Sequence, residues 1–299
     1  MIKQRLVKVL RMAKQRMAKI GRIIQDANFW KSTWVFPSTL FAGTMGFLTF
    51  IDVETIYKRY ALIGLVILTL LYFVYSIIKK TGLDSISLNL DGSIFEISVG
   101  DIFQQDDQDF KVIAFNEYFD TKVDDELISF TSLNGQYLTK NYPTTEDIQS
   151  LDVRISNDKR LSVKDVNVKR KLGGKTTKYE LGSVFKDGNY FLISFSKFDE
   201  KNEAHLRLTE YATCLLKFWD EAYSLYNKKT IVVPLLGSGI TRHRDFKASP
   251  QDLLEVLIWT FKISKVKFKE PSKVKILIHK DQQNEINFYK LKEFEKNGI

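Results

Sequence analysis

Apolar residues recur along this chain in three different periods, and each predicts a different kind of element. In residues 2–24, Leu6, Leu10, Ala13, Met17, Ile20 and Ile24 fall on one helical sector while Lys3, Arg5, Lys8, Arg11, Lys14, Arg16, Lys19 and Arg22 fill the rest, which reads as a basic amphipathic helix. Residues 34–51 and 61–78 are two 18-residue stretches without a charge. As a helix each spans about 27 Å, close to the roughly 30 Å hydrocarbon core of a bilayer. Short alternating or wholly apolar runs follow at 93–99, 110–115, 190–195, 231–236 and 274–278, with helical patterns at 203–226, 250–263 and 282–296. Strands alternating with helices predict an α/β fold, a mixed and mostly parallel sheet with helices on both faces, preceded by an all-α two-helix transmembrane hairpin.

This pattern divides the chain into an N-terminal helix (1–33), a transmembrane helical hairpin (34–80, spans 34–51 and 61–78) and an α/β domain (83–299) interrupted by a polar insert at 136–181. Charge supports the division. The net charge is +9, of which residues 1–33 carry +8 and residues 34–80 carry +2, so the α/β domain is close to neutral. Basicity confined to the N-terminus suits an anionic lipid surface better than a nucleic-acid groove. The lipid bilayer is therefore an expected partner and nucleic acid is not. The excess of Lys and Arg before the first span, together with Lys79 and Lys80 after the second, places both termini on the cytoplasmic side of a bacterial inner membrane. A cleaved signal peptide fits poorly, because the apolar stretch begins late and a second follows directly. Thr39/Gly43 and Ala42/Gly46 have the spacing that permits close helix approach, to a neighbouring span or another subunit. No charge lies within either span, so a transporter is not expected.

Enzyme chemistry is sparse. His205, His243 and His279 are scattered without metal-ligand spacing, so no metal site is expected. The lone cysteine, Cys214, lies in an apolar helical pattern and reads as a buried, inert thiol. The acidic runs 106–109 and 124–126 read as a turn and a helix start. Gly174-Lys175-Thr176 mimics the end of a P-loop, but residue 169 is lysine where a glycine is required. The surrounding basic cluster, Lys169, Arg170, Lys171, Lys175 and Lys178, reads as a solvated hairpin or a phosphate clamp. Three strand ends are more informative: Gly100-Asp101, Asn116 and Gly237-Ser238-Gly239. On one edge of a parallel sheet an Asp accepts an exocyclic amine, an Asn bonds a ribose hydroxyl and a glycine-rich turn cradles pyrophosphate. Together they describe a nucleotide pocket.

The order VGDIF, VIAFN and PLLGSGI resembles the macro domain over residues 92–299. With the run NEYFDTKVDDELISFTSLNGQY and two N-terminal spans it resembles more closely the membrane-anchored macro-domain effectors of Thoeris anti-phage defence. The resemblance implies Asp101 with Ile102 at adenine, Asn116 near the distal ribose, and Gly237, Ser238, Gly239, Ile240, Thr241 and Arg242 at the phosphates, with Val123 and Asp124 approaching from the first loop. It implies no cofactor or catalytic residue, but a signal ligand of the histidine-ADP-ribose type made by a TIR-domain partner. It also implies a homo-oligomer whose rearrangement disrupts the membrane in abortive infection. Phe119 followed by Asp120-Thr121-Lys122 stands where hydrolytic macro domains carry glycines, which favours binding over cutting. A membrane-tethered ADP-ribosylhydrolase is the alternative.

Overall fold

The computed structural model describes residues 17, 20, 21, 23–51, 54–239, 241–243, 245 and 247–296. The chain divides into one unit formed by Met1–Asp84 with Asn287–Lys290 and a second formed by Ser85–Ile286 with Leu291–Ile299. Most of the basic helix expected over 2–24 lies outside the described residues.

The first unit pairs helix α1 (Ala27–Phe50) with helix α2 (Thr55–Thr81). Phe73 of α2 meets Trp30 and Trp34 of α1 at 5.4 and 5.0 Å between ring centroids, and Tyr72 meets Phe36 at 4.9 Å. Large apolar side chains cover the rest of both helices without burial, among them Val35, Phe41, Phe47, Leu62, Val66 and Leu70. Among the described residues α2 alone is long and apolar enough to cross a membrane. The expected first span falls on α1, where Pro37 and the hydroxyls of Ser38, Thr39, Thr44 and Thr49 dilute the apolar run. Each of these hydroxyls donates to a carbonyl one turn back, as Thr39 does to Val35 at 2.8 Å. Lys79 and Lys80 occupy the last turn of α2, next to its carbonyl end, where the helix dipole favours cations.

The second unit is built on a mixed sheet. Strands β1 (Ser85–Leu90) and β2 (Ser93–Val99) form a hairpin whose turn residues, Asp91 and Gly92, both have positive φ, the geometry that matches strand twist. Further strands are β3 (Phe110–Asn116), β4 (Val163–Asp165), β5 (Lys178–Tyr179), β6 (Val184–Asp187), β7 (Tyr190–Phe198), β8 (Ala204–Leu206), β9 (Ile231–Pro234), β10 (Arg242–His243) and β11 (Val274–Ile278). The order is β1-β2-β11-β9-β3-β7-β8-β10, with β6 paired to β7 and β4-β5 a separate ribbon. Strands β2, β11, β9, β3 and β7 run parallel, β1 runs antiparallel to β2, β6 and β8 run antiparallel to β7, and β10 runs parallel to β8.

Helices cover both faces, as the pattern predicts. On one face lie α5 (Leu208–Leu225) and α6 (Pro250–Ser264), where Trp219 and Phe261 pack on Phe95 and the Trp219 Nε1 donates to Thr260 Oγ1 at 3.2 Å. Burying side chains of this size contributes about 1.5–3 kcal/mol each. The other face is covered by α3 (Leu133–Asn141) and α4 (Thr145–Asn157), whose Tyr137, Leu138, Leu151 and Ile155 share a core with Ile113, Phe115, Leu192 and Val232.

Two expectations need correction. The insert 136–181 is not merely polar with short strand pieces, since it holds the end of α3 and all of α4. The signal was present: Thr144 and Asp147 form a capping box, and Ile148, Leu151 and Ile155 follow at helical spacing. The helix expected over 282–296 does not form either. Short 3₁₀ turns (Lys280–Glu285 and Lys290–Lys292) and one helical turn, α7 (Glu293–Lys296), take its place. Ile286 and Phe288 are both buried, and residues two apart lie on nearly opposite sides of a helix.

Candidate functional site

Because β2, β11, β9 and β3 are parallel neighbours, their carboxyl ends share one edge, which is where open α/β sheets bind ligands. Along it stand Asp101 after β2, His279 after β11, the 235–239 loop after β9 and Asn116 at the end of β3. Three strand spacings separate the first from the last, about 14 Å at about 4.8 Å each.

Asp101 caps the 3₁₀ turn Ile102–Gln104, its Oδ1 accepting from Phe103 N at 2.9 Å. Asp101 is exposed and Ile102 beside it is buried. In the β9 loop Gly237 has φ +80, a region that L side chains rarely adopt, and Ser238 Oγ donates back to Leu235 O at 2.6 Å. Two partners from elsewhere hold this loop. Tyr211 OH donates to Leu236 O at 3.0 Å, and Gln282 Nε2 donates to Ser238 O at 2.7 Å. Gly239 is exposed, Thr241 is half-buried and Ile240 lies outside the described residues. Arg242 belongs to β10 and its guanidinium is paired with Glu203.

Asn116 is buried and its side chain organises a turn. Its Nδ2 donates to Asp120 Oδ2 at 2.9 Å, and its Oδ1 accepts from the backbone N–H groups of Tyr118 and Asp120 at 3.0 and 3.2 Å. Val123 and Asp124 belong to the same loop, but Asp124 accepts from Glu126 N and Leu127 N and pairs with Lys122 at 2.8 Å, so it caps a turn. Phe119 is buried at φ +50 and packs on Phe115 and Tyr179.

The insert's basic cluster is neither wholly solvated nor a phosphate clamp. Arg170 is 7% exposed and donates to both oxygens of Asp120, itself 1% exposed, at 2.9 and 2.8 Å, while stacking 4.2 Å over the Tyr118 ring. Lys175 N donates to Asp120 Oδ1 at 2.8 Å, and Lys175 Nζ reaches Phe119 O at 2.6 Å and Asp152 at 2.5 Å. Burial lowers the Lys175 pKa despite the nearby carboxylates. Glu117 next to Asn116 is the opposite case: burial raises its pKa although Lys178 lies 3.1 Å away. Cys214 is buried, and desolvation pushes its thiol up to about 12. Among the described residues no group of three or more His, Cys, Asp and Glu side chains is placed to hold a metal.

Sequence reasoning singled out Arg170 and Lys175 in a basic cluster but not their pairing with Asp120 and Asp152, and it did not place His279 or Gln282 at this edge. The first two sit in a tract without periodicity, and their partners are distant in sequence. His279 could have been found by the argument that found Asp101, since it follows an apolar strand directly.

A mixed sheet of this kind, carrying an aspartate, a glycine loop and an asparagine on one edge, defines a macro domain, a class that binds ADP-ribose derivatives. The family described as "Thoeris protein ThsA, Macro domain" matches residues 95–279. Thoeris protein ThsA of Bacillus amyloliquefaciens (strain Y2) is 47% identical over 283 residues, 95% of this chain and 95% of that protein. The chain belongs to the Thoeris ThsA family, whose system is one of antiviral defence. Among solved structures, the Oceanobacillus iheyensis macrodomain with ADP is 14% identical over 71% of this chain and 97% of its own, with a TM-score of 0.45. The same macrodomain with MES bound is 13% identical over the same shares, with a TM-score of 0.45.

Proposed function

We propose that the chain is a membrane-anchored effector whose macro domain senses an ADP-ribose-derived signal nucleotide, of the histidine-ADP-ribose type, made by a TIR-domain partner. Binding rearranges a homo-oligomer, and the helices of the first unit then disrupt the inner membrane, ending the infected cell. The observation that carries this reading is the order of Asp101, the 235–239 loop and Asn116 along one sheet edge, base acceptor first and ribose contact last, in a chain of the ThsA family. Support for the anchor comes from α2 and from the uncovered apolar side chains of both helices. Both termini are cytoplasmic in this reading, with the hairpin crossing twice.

Binding without turnover fits the loop chemistry. The Asp120 carboxylate is held by Arg170, Lys175 and Asn116, which leaves it poorly placed to serve as a base. A ligand shifts only an equilibrium whose states it binds unequally, so the open and closed assemblies must differ at this edge.

The test uses the full chain in dye-loaded vesicles containing anionic lipid. Addition of the histidine conjugate of ADP-ribose is expected to release dye while the conjugate stays chemically intact, and NAD is expected to do neither. Hydrolysis of the conjugate without dye release would instead make the chain a tethered hydrolase.

A further inference from the structure

The chain passes through each unit twice. After β11 it makes the 3₁₀ turn Lys280–Glu285 in the second unit, enters the first unit as Asn287–Lys290 and rejoins the second at Leu291. One side chain fastens each half of this excursion. Gln282 Nε2 donates to Ser238 O at 2.7 Å, which ties the turn to the loop after β9. In the first unit the Tyr289 and Ser32 hydroxyls share a hydrogen bond at 2.7 Å, and Lys80 Nζ lies 4.2 Å over the Tyr289 ring. Ser32 stands in the second turn of α1 and Lys80 in the last turn of α2, so Tyr289 touches both helices at the ends away from their connection.

Gln282 and Tyr289 are seven residues apart, a span of at most about 25 Å. Ile286 and Phe288 between them are buried, so the connection is packed along its length and does not behave as a free linker. At its start the Gln282 Oε1 is buried and accepts no hydrogen bond from the described residues, so this arrangement of the turn carries a cost that another could relieve. At its end the contacts are few: Tyr289 is half-buried, and Lys80 Nζ also has Thr33 Oγ1 at 3.0 Å and the Phe29 ring at 4.5 Å. Contacts of that kind are strong enough to bias an equilibrium and weak enough to be exchanged.

We propose, on the effector reading above, that residues 279–290 form a strap that keeps the helix pair closed until the nucleotide site is filled. Tyr289 clamps the ends of α1 and α2 in the unliganded chain. Ligand selects a second arrangement of the loop after β9, Gln282 follows Ser238, and Tyr289 leaves Ser32 and Lys80. Clamp and ligand then oppose each other, which fixes two signs. Weakening the clamp populates the open state without ligand, and it raises affinity, because binding no longer has to displace Tyr289. A side chain that merely supported the fold would lower affinity when removed.

The experiment uses the full chain, in dye-loaded vesicles containing anionic lipid and by calorimetry in detergent, with the histidine conjugate of ADP-ribose as the probe. Tyr289→Leu is expected to release dye without ligand and to bind the conjugate about fivefold or more tighter than the parent. Gln282→Leu keeps the clamp and cuts the tie, so it is expected to stay closed even when the conjugate saturates it. Should Tyr289→Leu fail to fold, Tyr289→Phe keeps the ring over Lys80 and loses only the bond to Ser32, and it is expected to move both readouts in the same direction by a smaller factor. Either Tyr289 variant with the parent's basal release, or with unchanged or weaker affinity, overturns the strap and leaves the effector reading standing. So does a Gln282→Leu chain that responds to the conjugate like the parent. A parent that releases no dye with the conjugate overturns the effector reading and the strap together.

Discussion

The Asn116 amide and the Asp120 carboxylate, 2.9 Å apart and both buried, close a five-residue turn at the carboxyl end of β3. The turn stays closed because Arg170 neutralises Asp120 from the insert. Removing one partner of a buried ion pair leaves the other charge uncompensated, at a cost of about 3–5 kcal/mol. Arg170→Ala is therefore expected to lower the unfolding free energy of the macro domain by that amount, measured by urea titration followed by circular dichroism. Replacing both partners by apolar residues of similar volume, Arg170→Met with Asp120→Leu, is expected to cost distinctly less. Equal losses would mean that the pair is not the source of the stability.

The two glycines of the insert turn separate backbone strain from collision. A Cβ at Gly173, with φ +75, meets nothing within 4 Å, whereas one at Gly174, with φ +104, meets Arg170 Nη1 at 2.2 Å and Asp120 Oδ1 at 2.9 Å. Gly173→Ala is expected to cost about 1 kcal/mol and Gly174→Ala about 3 kcal/mol, with only the second displacing Arg170. Thermal unfolding of the two variants, compared with Arg170→Ala, checks the ranking.

Glu117 gives a pH dependence with a definite sign. Its carboxyl is buried and its folded pKa is raised, chiefly by desolvation, above the unfolded value of about 4.3. Between those two values the folded state binds more protons than the unfolded state, so this residue's contribution to stability falls as pH rises through the window. Above the folded pKa the full penalty remains, and below about pH 4 it is gone. Glu117→Gln is expected to be more stable than the parent at pH 7 and equal to it at pH 4. Urea midpoints across that range decide the matter; a variant less stable at pH 7 would show that the Lys178 pair outweighs burial.

Strands β2 and β11 were legible in the sequence at their observed bounds, because each is a short apolar or alternating run with distinct flanks. Helix α3 was not, since it buries only a few side chains, such as Tyr137, within an otherwise polar tract, whereas α4 carried a capping box and helical spacing that the polarity around them masked. The three edge motifs were legible as strand ends. What could not be read was the state of Asn116: its partner Asp120 lies 4 residues on, but the groups that fix Asp120 come from 50 and 55 residues away. No local pattern encodes such pairings. The same limit explains why Arg170 and Lys175 read as part of a solvated hairpin or a phosphate clamp and not as partners of Asp120 and Asp152.

Helix α2 carries the anchor if the proposed function holds. Val66 lies near its middle with its side chain exposed, and arginine at the centre of a spanning helix costs about 2.5–3.5 kcal/mol. Val66→Arg is expected to move the protein out of the carbonate-resistant membrane fraction. Tyr57→Arg, near the start of the helix, is expected to leave it there. If both variants stay in the membrane equally, α2 is not the span.

The 235–239 loop depends on a side chain that never reaches the sheet edge. Tyr211 is fully buried in α5, and its one hydroxyl proton lies between Leu236 O at 3.0 Å and Leu253 O at 3.2 Å, tying the loop after β9 to the first turn of α6. Burial raises the Tyr211 pKa, so the hydroxyl keeps its proton and remains a donor throughout the physiological range. Tyr211→Phe preserves the ring's packing and leaves Leu236 O without this donor, a loss of about 1–3 kcal/mol. Because Ser238 remains held by Gln282, the loop is expected to loosen without unfolding, with amide exchange rising at 236–239 and unchanged in β11. ADP-ribose affinity is expected to fall by the same free energy only if the loop contacts the phosphates. Faster exchange at 236–239 with unchanged affinity would therefore remove the glycine loop from the binding site while leaving Asp101 and Asn116 in it.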